Sequence, residues 1–293
     1  MKIIDSFLFH NEFDMLKLRL QSLRYSVDFF VISECNLTFS GKKKPYYLDQ
    51  IIDEFDDELK SQIISVRYEP DVSGYDFSET TECDFNSGFW KVENGQRSHI
   101  LSALSEFDDK DLLMLSDVDE IPNSLVIEDS ASTLMFDNLY YNFFTYENSD
   151  WPGTVFSYIN YAKEHGTDFL RHNSRSFPRI LSSGWHFTFF GGVDKIKDKL
   201  NSFSHQEFNT KDINNTKNIE DSINNNEDLL QRKHENKKFL PYGFHNFPPK
   251  IAELIVEIFP KESYEMSKSN VEVNTKPEYL HNNMPPLLEA VLN

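Results

Sequence analysis

The first part of the chain alternates between apolar runs of strand length and longer segments with apolar side chains at helical spacing. The strand-length runs are Lys2–His10, Val27–Ser33, Ile63–Tyr68 and Leu112–Leu115. Helical spacing occurs in Phe13–Leu23, Leu48–Leu59 and Phe89–Phe107. Residues 71–88 have no period and are predicted to form a long loop. Strands that alternate with helices favour an α/β fold with a mostly parallel, Rossmann-like sheet flanked by helices.

The pattern changes after Pro122. Asn138–Tyr146 and Thr154–Tyr161 are rich in aromatic residues that partly alternate with polar ones, which predicts an added antiparallel portion. Ser183–Gly192 is a further candidate strand, and Val193–Leu200 has the spacing of a helix.

The chain is predicted to form one domain over residues 1–250, with 1–122 and 123–250 as its two halves. Within the second half, residues 209–226 are rich in Asn, Lys and Asp without a period, which predicts a flexible segment. Residues 251–293 are predicted to add a C-terminal helix and a poorly ordered tail.

Clustered carboxylates follow the strand Leu112–Leu115, whose continuous apolar run is typical of burial on both faces. Asp117, Asp119 and Glu120 come next, and Pro122 closes the segment. Acids at the end of a buried strand are costly unless a positive charge lies beside them, and hard divalent cations prefer oxygen ligands. The segment therefore predicts a cation site, with capping of a following helix as the alternative.

Other polar residues are expected at the same edge of the sheet. Asn11 and Glu12 follow the first predicted strand, and Glu34 ends the second. Right-handed crossovers bring the carboxyl ends of parallel strands together, and ligands bind outside these ends. Arg97 lies near the start of the helix that leads to the acidic strand. Its guanidinium suits a phosphate, and an ion pair with a carboxylate is the alternative.

Composition narrows the classes of function. The 293 residues, of which 39% are hydrophobic and 26% charged, describe a globular protein with a sizeable core. A net charge of −19 argues against nucleic-acid binding. Local basic clusters still occur, at Lys42–Lys44 and at Arg171, Arg175 and Arg179. The first of these either contacts a phosphate or forms a solvated loop.

Cysteine usage and hydropathy bear on the compartment. Two cysteines, Cys35 and Cys83, are too few for a disulfide framework, and free thiols in a reducing compartment are expected. No transmembrane segment or secretory signal is visible, so the chain is predicted to be cytoplasmic. The oligomeric state is left open by the sequence.

Several segments, taken in order, resemble glycosyltransferase family 17, which includes the bisecting N-acetylglucosaminyltransferase. They are Phe7–Leu23, Val27–Leu48, Glu93–Arg97, Leu112–Pro122, Gly184–Gly192 and Phe203–Phe208. The resemblance implies a GT-A fold, a UDP-sugar donor with UDP-GlcNAc as the precedent, Mn²⁺ or Mg²⁺, inversion at the anomeric carbon, and a glycan acceptor. Eukaryotic relatives carry a membrane anchor and stem that are not seen in this chain, so a bacterial or viral glycan acceptor is expected.

The resemblance also implies roles for individual residues. The predicted donor-nucleotide contacts lie mainly in the half 1–122 and are Asn11, Glu12, Glu34, Lys44, Arg97 and Asp117. The predicted metal ligands are Asp117, Asp119 and His205. Trp185 and His186 are assigned to a sugar, although Trp185 equally suits the core and His186 is an alternative to His205 at the metal or diphosphate. The general-base candidates are Asp194, Glu207 and Glu120.

Two other functions use similar residues. A metal-dependent phosphoester or nucleotide-sugar hydrolase also places acids at strand ends, but it normally needs more acids or histidines to hold two ions. A glycan-binding module on a decayed transferase fold is the non-enzymatic alternative, and the intact Asp117 and Asp119 argue against it.

Overall fold

A computed structural model describes residues 1–78, 84–123, 131–146, 150–230, 232 and 239–273 of the chain. Within these residues, eleven strands belong to one mixed sheet. The strands are β1 (Ile3–Phe9), β2 (Phe29–Cys35), β3 (Ile63–Tyr68), β4 (Leu112–Asp117), β5 (Glu120–Pro122), β6 (Ser132–Tyr140), β7 (Phe144–Tyr146), β8 (Asp150–Tyr158), β9 (Arg179–Ile180), β10 (Gly184–Thr188) and β11 (Phe239–Pro241).

Helices cover both faces of this sheet. They are α1 (Phe13–Leu23), α2 (Leu48–Ile51), α3 (Asp57–Gln62), α4 (Gly88–His99), α5 (Leu101–Leu104), α6 (Ile159–His165), α7 (Thr167–His172), α8 (Gly192–Ser202), α9 (Thr216–Asn225), α10 (Pro249–Ile258) and α11 (Pro260–Val273). Short 3₁₀ turns lie at Ile52–Glu54, Ser174–Ser176, Gln206–Phe208 and Phe244–Asn246. None of the helices in the described part of the chain is long and apolar enough to cross a membrane.

The strands β4, β1, β2 and β3 lie side by side in that order and are parallel, as the alternating pattern predicts. In β1, Leu8 is opposite Asp117 of β4, and Phe9 is opposite Glu34 of β2. The polar residues after these strands therefore meet at one edge of the sheet.

The remaining strands make the sheet mixed rather than mostly parallel. β8 runs antiparallel to both β4 and β6, which confirms the predicted antiparallel pairing of the two aromatic segments. β10 pairs with two strands, running parallel to β6 and antiparallel to the short β5. The predicted run of adjacent parallel strands is confined to β1–β4, since β4 has the antiparallel β8 on its other side, and further parallel pairs occur locally, where β9 and β10 lie beside β6.

Side chains of the central strands alternate between two buried faces. Phe7 and Met114 pack in one hydrophobic cluster, and Ile4 and Leu113 pack in the other. This is why β4 reads as a continuous apolar run: both of its faces are covered. Cys35, at the end of β2, is a buried free thiol whose pKa burial raises to about 11, while Cys83 lies outside the described residues.

Two helices that the sequence predicts as continuous are divided in the structure. The helix predicted over 48–59 is divided, because the Asp56 side chain accepts the Leu59 N–H and caps a new helix, α3. The helix predicted over 89–107 is interrupted between α4 and α5.

The segment 209–226, predicted to be flexible, contains α9. Asn215 caps this helix by accepting the N–H groups of Lys217 and Asn218, and Ile219 is fully buried. The predicted tail beyond α11 lies outside the described residues, apart from the part that α11 includes.

Candidate active site

A buried ion pair fixes the backbone that carries the acidic cluster. Arg19 of α1 and Asp5 of β1 are both fully buried and are joined by two hydrogen bonds of 2.7 Å and 2.6 Å. Arg19 also donates to the carbonyl oxygens of Asp117, at 3.1 Å, and of Glu120. Arg19 thus fixes the backbone of the turn between β4 and β5, which carries the acidic side chains.

Asp117 lies between two arginines. Its Oδ1 accepts from Arg97 Nη1 at 3.0 Å, and its Oδ2 accepts from Arg171 Nη2 at 2.6 Å. Burial opposes ionisation of this carboxyl, but Arg171 and Arg97 outweigh it and hold the pKa of Asp117 below its usual range. The carboxylate stays charged and immobile.

Glu120 points inward, away from the cavity wall. It is fully buried, and its oxygens accept hydrogen bonds from Arg171, from Trp151 Nε1 at 2.7 Å and from the Asp117 N–H at 2.9 Å. Through these contacts Glu120 stabilises the turn between β4 and β5. The sequence prediction that it serves as a general base gains no geometric support, since both oxygens are engaged.

Asp119 faces a cation and a histidine. Its Oδ2 lies 2.8 Å from Lys199 Nζ on α8, and its Oδ1 lies 3.6 Å from His186 Nε2 on β10. Burial opposes its ionisation, but Lys199 and His186 lower its pKa. The strand pairing explains the contact: His186 is opposite Glu120, and the Phe187 N–H donates to the Asp119 carbonyl at 2.9 Å.

The tautomer of His186 follows from its second contact. The Thr188 hydroxyl donates its one hydrogen to Asn138 Oδ1 at 2.6 Å, so it can only accept from His186 Nδ1, 3.2 Å away. In the neutral ring the proton is therefore on Nδ1 and the Nε2 lone pair faces Asp119, whereas a protonated ring donates from Nε2 to this carboxylate. Trp151 stacks on the ring at 4.2 Å between centroids and fixes its plane. In the neutral form, Asp119 and His186 present two acceptors to each other beside the cavity.

A cavity of about 500 Å³ opens at these side chains. Asp117, Asp119 and His186 contribute to its wall, as do the cationic groups Arg97, Arg171, Arg175 and Lys199. Aromatic rings complete the wall, among them Phe85, Trp90, Trp151 and Phe208. Cations beside aromatic surfaces suit a ligand that has both an anionic part and flat apolar faces.

His205 lies on the wall of the same cavity, but its described partner is Glu207. Its Nδ1 is 2.7 Å from Glu207 Oε1, and its ring packs edge-on against Trp90 at 4.9 Å between centroids. Across the described residues, no group of three or more His, Cys, Asp or Glu side chains is arranged to hold a metal ion. The partners of Asp119 in the structure are Lys199 and His186.

Other sequence-predicted residues lie around this centre. Asn11 and Glu12 line a smaller cavity of about 60 Å³ that shares Asp119 and Lys199 with the main one, and Glu12 lines both. Asn11 Nδ2 donates to Asp198, and Glu12 Oε2 accepts the N–H groups of His10 and Asn11.

Glu34 and Lys44 form an ion pair of 2.6 Å beside the start of α2. Glu34 also accepts from the Tyr47 and Leu48 amides, and burial raises its pKa even though Lys44 opposes the shift. Neither residue lines the two cavities described above. Their observed role is to hold the loop before α2, and a contact with the nucleotide stays a prediction.

Alternation along β10 separates Trp185 from His186. Trp185 is 2% exposed, donates to the Tyr242 hydroxyl at 2.9 Å and packs against Phe247, so the structure places it in the core instead of at a sugar. Asp194, in the first turn of α8, is exposed and lies on neither cavity wall.

The sequence reasoning assigned no role to Arg171, Lys199 or Trp151. The cluster of arginines around Arg171 was a visible signal, because basic residues stand out in so acidic a chain. Lys199 has no such signal, since it is one of several lysines in α8. Only tertiary packing brings these groups to the acidic turn, Arg171 from α7, Lys199 from α8 and Trp151 from β8.

An α/β sheet whose strand ends deliver carboxylates and arginines into one cavity is typical of nucleotide-binding enzymes. Over residues 1–253 the chain matches the sequence model of glycosyltransferase family 17. The protein therefore belongs to glycosyltransferase family 17. No curated protein is significantly similar to it in sequence.

Two solved structures of LgtC also match the chain. One is an active-site mutant of LgtC, and the other is the galactosyltransferase LgtC in complex with donor and acceptor sugar analogues. Both are 10% identical, have a TM-score of 0.33, and cover 64% of this chain and 72% and 73% of their own chains, respectively. A likeness this weak defines neither donor, acceptor nor stereochemistry.

Proposed function

We propose that this family member has a GT-A fold and transfers a sugar from a nucleotide sugar to a glycan hydroxyl, with a divalent metal and with inversion. UDP-GlcNAc is the proposed donor, from the family resemblance. The observation that carries the metal dependence is the approach of Asp119 Oδ1 to His186 Nε2 at 3.6 Å, beside the cavity. A carboxylate oxygen and an imidazole nitrogen at this distance are suitable ligands for one divalent ion at the cavity.

The residues present fit a metal such as Mn²⁺ or Mg²⁺. Mg²⁺ in enzymes of phosphate-containing substrates is usually held by one or two carboxylates together with substrate phosphates, so a large set of protein ligands is not needed. Asp119 would supply an oxygen and His186 a nitrogen. The hydrogen bond from His186 Nδ1 to Thr188 is the kind of outer contact that orients a metal-binding histidine. When bound, the ion supplies Lewis acidity towards the diphosphate leaving group.

The chain's own cations support binding of a diphosphate. Lys199 Nζ already lies 2.8 Å from Asp119, so its charge is next to the proposed phosphate position. Arg97 and Arg171 hold Asp117 between them, which leaves this carboxylate oriented for a ribose hydroxyl. The aromatic rings of Trp151 and Phe189 on the cavity wall offer apolar faces. Donor recognition would therefore combine charge with a shaped, partly apolar wall.

Calorimetric titration of UDP in the presence and absence of Mn²⁺ tests the proposal. We expect UDP to bind in a Mn²⁺-dependent manner, and Asp119→Ala and His186→Gln to lose that dependence. Asp53→Ala, at an exposed aspartate on another part of the surface, is the matched control and should bind as the unchanged protein does. Mn²⁺-independent UDP binding that survives Asp119→Ala would contradict the metal site.

The donor and the stereochemistry need separate measurements. Slow release of UDP from a panel of UDP-sugars with Mn²⁺ identifies the donor without knowledge of the acceptor. Proton NMR of the first-formed sugar or glycoside reports the anomeric configuration, and retention would contradict the proposed inversion.

A further inference from the structure

His205 and Glu207 form a hydrogen-bonded pair at the wall of the main cavity. The pair spans the start of a 3₁₀ turn that follows α8, with Nδ1 and Oε1 2.7 Å apart. A carboxylate only accepts, so the proton is assigned to Nδ1. Nε2 is then the ring nitrogen with a lone pair, and the structure gives it no hydrogen-bond partner among the described residues.

The carboxylates of the cavity wall are less suited to take a proton. Asp117 has both oxygens bound by arginines, and Asp119 faces Lys199 and His186. Glu93 Oε1 accepts from Arg97 at 3.0 Å, and its Oε2 accepts from the Ser204 hydroxyl at 2.5 Å. Glu12 turns one oxygen back onto two backbone amides. The arginine and lysine partners of Asp117 and Asp119 hold these two carboxylates ionised but weaken them as bases.

A chain of polar contacts fixes His205 relative to the acidic turn. Asp117 contacts Arg97, Arg97 contacts Glu93, and Glu93 contacts Ser204, the residue before His205. Asp117 and the residue that precedes His205 are thereby joined through charged and hydrogen-bonded groups. Their separation is set by the fold and not by a free loop.

Aromatic side chains surround His205 on the same wall. Trp90 packs edge-on against its ring, Phe208 lies 5.9 Å from it between centroids, and Phe85 packs against Trp90 at 5.0 Å. Trp90, Phe85 and Phe208 all line the cavity. Aromatic faces beside a polar group suit the apolar face of a sugar ring, so an acceptor sugar fits this end.

We infer that His205 is the general base of the transfer and that Glu207 positions it, an inference that rests on the proposed function. The acceptor hydroxyl oxygen forms a bond to the anomeric carbon while its proton passes to His205 Nε2. The bond between the anomeric carbon and the diphosphate oxygen breaks, and the nucleoside diphosphate leaves with the electron pair. Glu207 keeps the ring oriented and stabilises the imidazolium that results.

The inference assigns His205 a role different from the metal ligand that the sequence predicts. It also separates His186 from His205 by their partners. His186 presents its Nε2 to a carboxylate, Asp119, which suits a cation. His205 presents its Nδ1 to a carboxylate, Glu207, which suits proton transfer at the other nitrogen.

The test compares full-length variants in two measurements: UDP affinity with Mn²⁺, and the rate of UDP release from whichever UDP-sugar the unchanged protein hydrolyses. For His205→Gln we expect unchanged UDP affinity and a rate lowered by about 100-fold or more. For Glu207→Gln we expect a smaller loss, about tenfold, confined to kcat with KM unchanged. His165→Gln, at an exposed histidine stacked on Tyr161, is the matched control and should change neither quantity.

The outcomes separate the inference from the function on which it rests. Failure of the unchanged protein to bind UDP or release it from any UDP-sugar would count against the proposed function. A normal rate in His205→Gln, while Asp119→Ala is inactive, would overturn the role of His205 alone. Loss of UDP affinity in His205→Gln would return it to the donor or metal site. A greater rate loss in His172→Gln, at another histidine lining this cavity, would move the base there.

Discussion

His186 Nε2 lies 3.6 Å from Asp119 Oδ1, and the other ring nitrogen of His186 is held by Thr188. This relationship joins β10 to the turn after β4, two parts of the chain that are distant in sequence. It also gives His186 a defined tautomer, because the Thr188 hydroxyl is committed to Asn138.

Thr188→Val should weaken the Mn²⁺ dependence of UDP binding without removing any proposed ligand. The substitution keeps the side-chain shape and deletes the oxygen that accepts from His186 Nδ1. Loss of such an outer contact typically costs about 10–100-fold in metal affinity. Calorimetric titration of UDP at several Mn²⁺ concentrations measures the change. Thr188→Ser retains the hydroxyl and is the control, and equal affinities in the two variants would contradict the assigned tautomer.

Arg171→Met should strongly destabilise the fold. Arg171 is the cation for the fully buried Glu120 and also binds Asp117. Removing one partner of a buried ion pair leaves an uncompensated charge and costs about 3–5 kcal/mol. Urea unfolding measures this loss. Arg67→Met, at an exposed pair with Asp49, is the control and should cost less than about 1 kcal/mol. Similar losses in both variants would argue against the support role of Arg171.

The pair of Asp5 and Arg19 should separate stability from binding. Arg19→Met leaves the buried Asp5 carboxylate without its cation and should cost about 3–5 kcal/mol. The double variant Asp5→Leu with Arg19→Met removes both charges and should recover much of that stability. The UDP affinity of the double variant should nevertheless remain lower than that of the unchanged protein, because the carbonyls of Asp117 and Glu120 lose a donor that fixes the turn.

Unfolding by urea and UDP titration are both needed for this pair. Full recovery of UDP affinity in the double variant would mean that Arg19 acts only through charge balance with Asp5. Lys17→Met, at a partly exposed residue of α1 that pairs with Glu54 of the 3₁₀ turn Ile52–Glu54, is the control and should alter neither quantity.

Trp185→Ala should reduce stability and leave UDP binding intact. The Trp185 ring is in the core, where it contacts Tyr242 and Phe247, and loss of so large a buried side chain costs about 3–5 kcal/mol. Trp151→Ala should instead lower UDP affinity more than stability, since Trp151 stacks on His186 and lines the cavity. Urea unfolding and UDP titration on both variants make the comparison. A loss of UDP affinity in Trp185→Ala greater than in Trp151→Ala would contradict the assignment of Trp185 to the core.

The sequence by itself determined the parallel strands and the position of the acidic turn. Continuous apolar runs such as Leu112–Leu115 signal strands covered on both faces, and the helical spacing between such runs requires crossovers. Together these two local signals place Asp117 and Asp119 at the carboxyl edge of the sheet. The ordered segments that resemble glycosyltransferase family 17 lead to the family that the sequence comparison establishes.

The partners of these acids were decided only by the tertiary structure. Whether His186 or Trp185 faces the cavity depends on the register of β10 against β5, and a shift of one residue would exchange them. Arg171, Lys199 and Trp151 reach the turn from α7, α8 and β8, through contacts between residues far apart in the chain. Local pattern fixes which residues form an element, whereas charge compensation of a buried acid depends on which elements pack together.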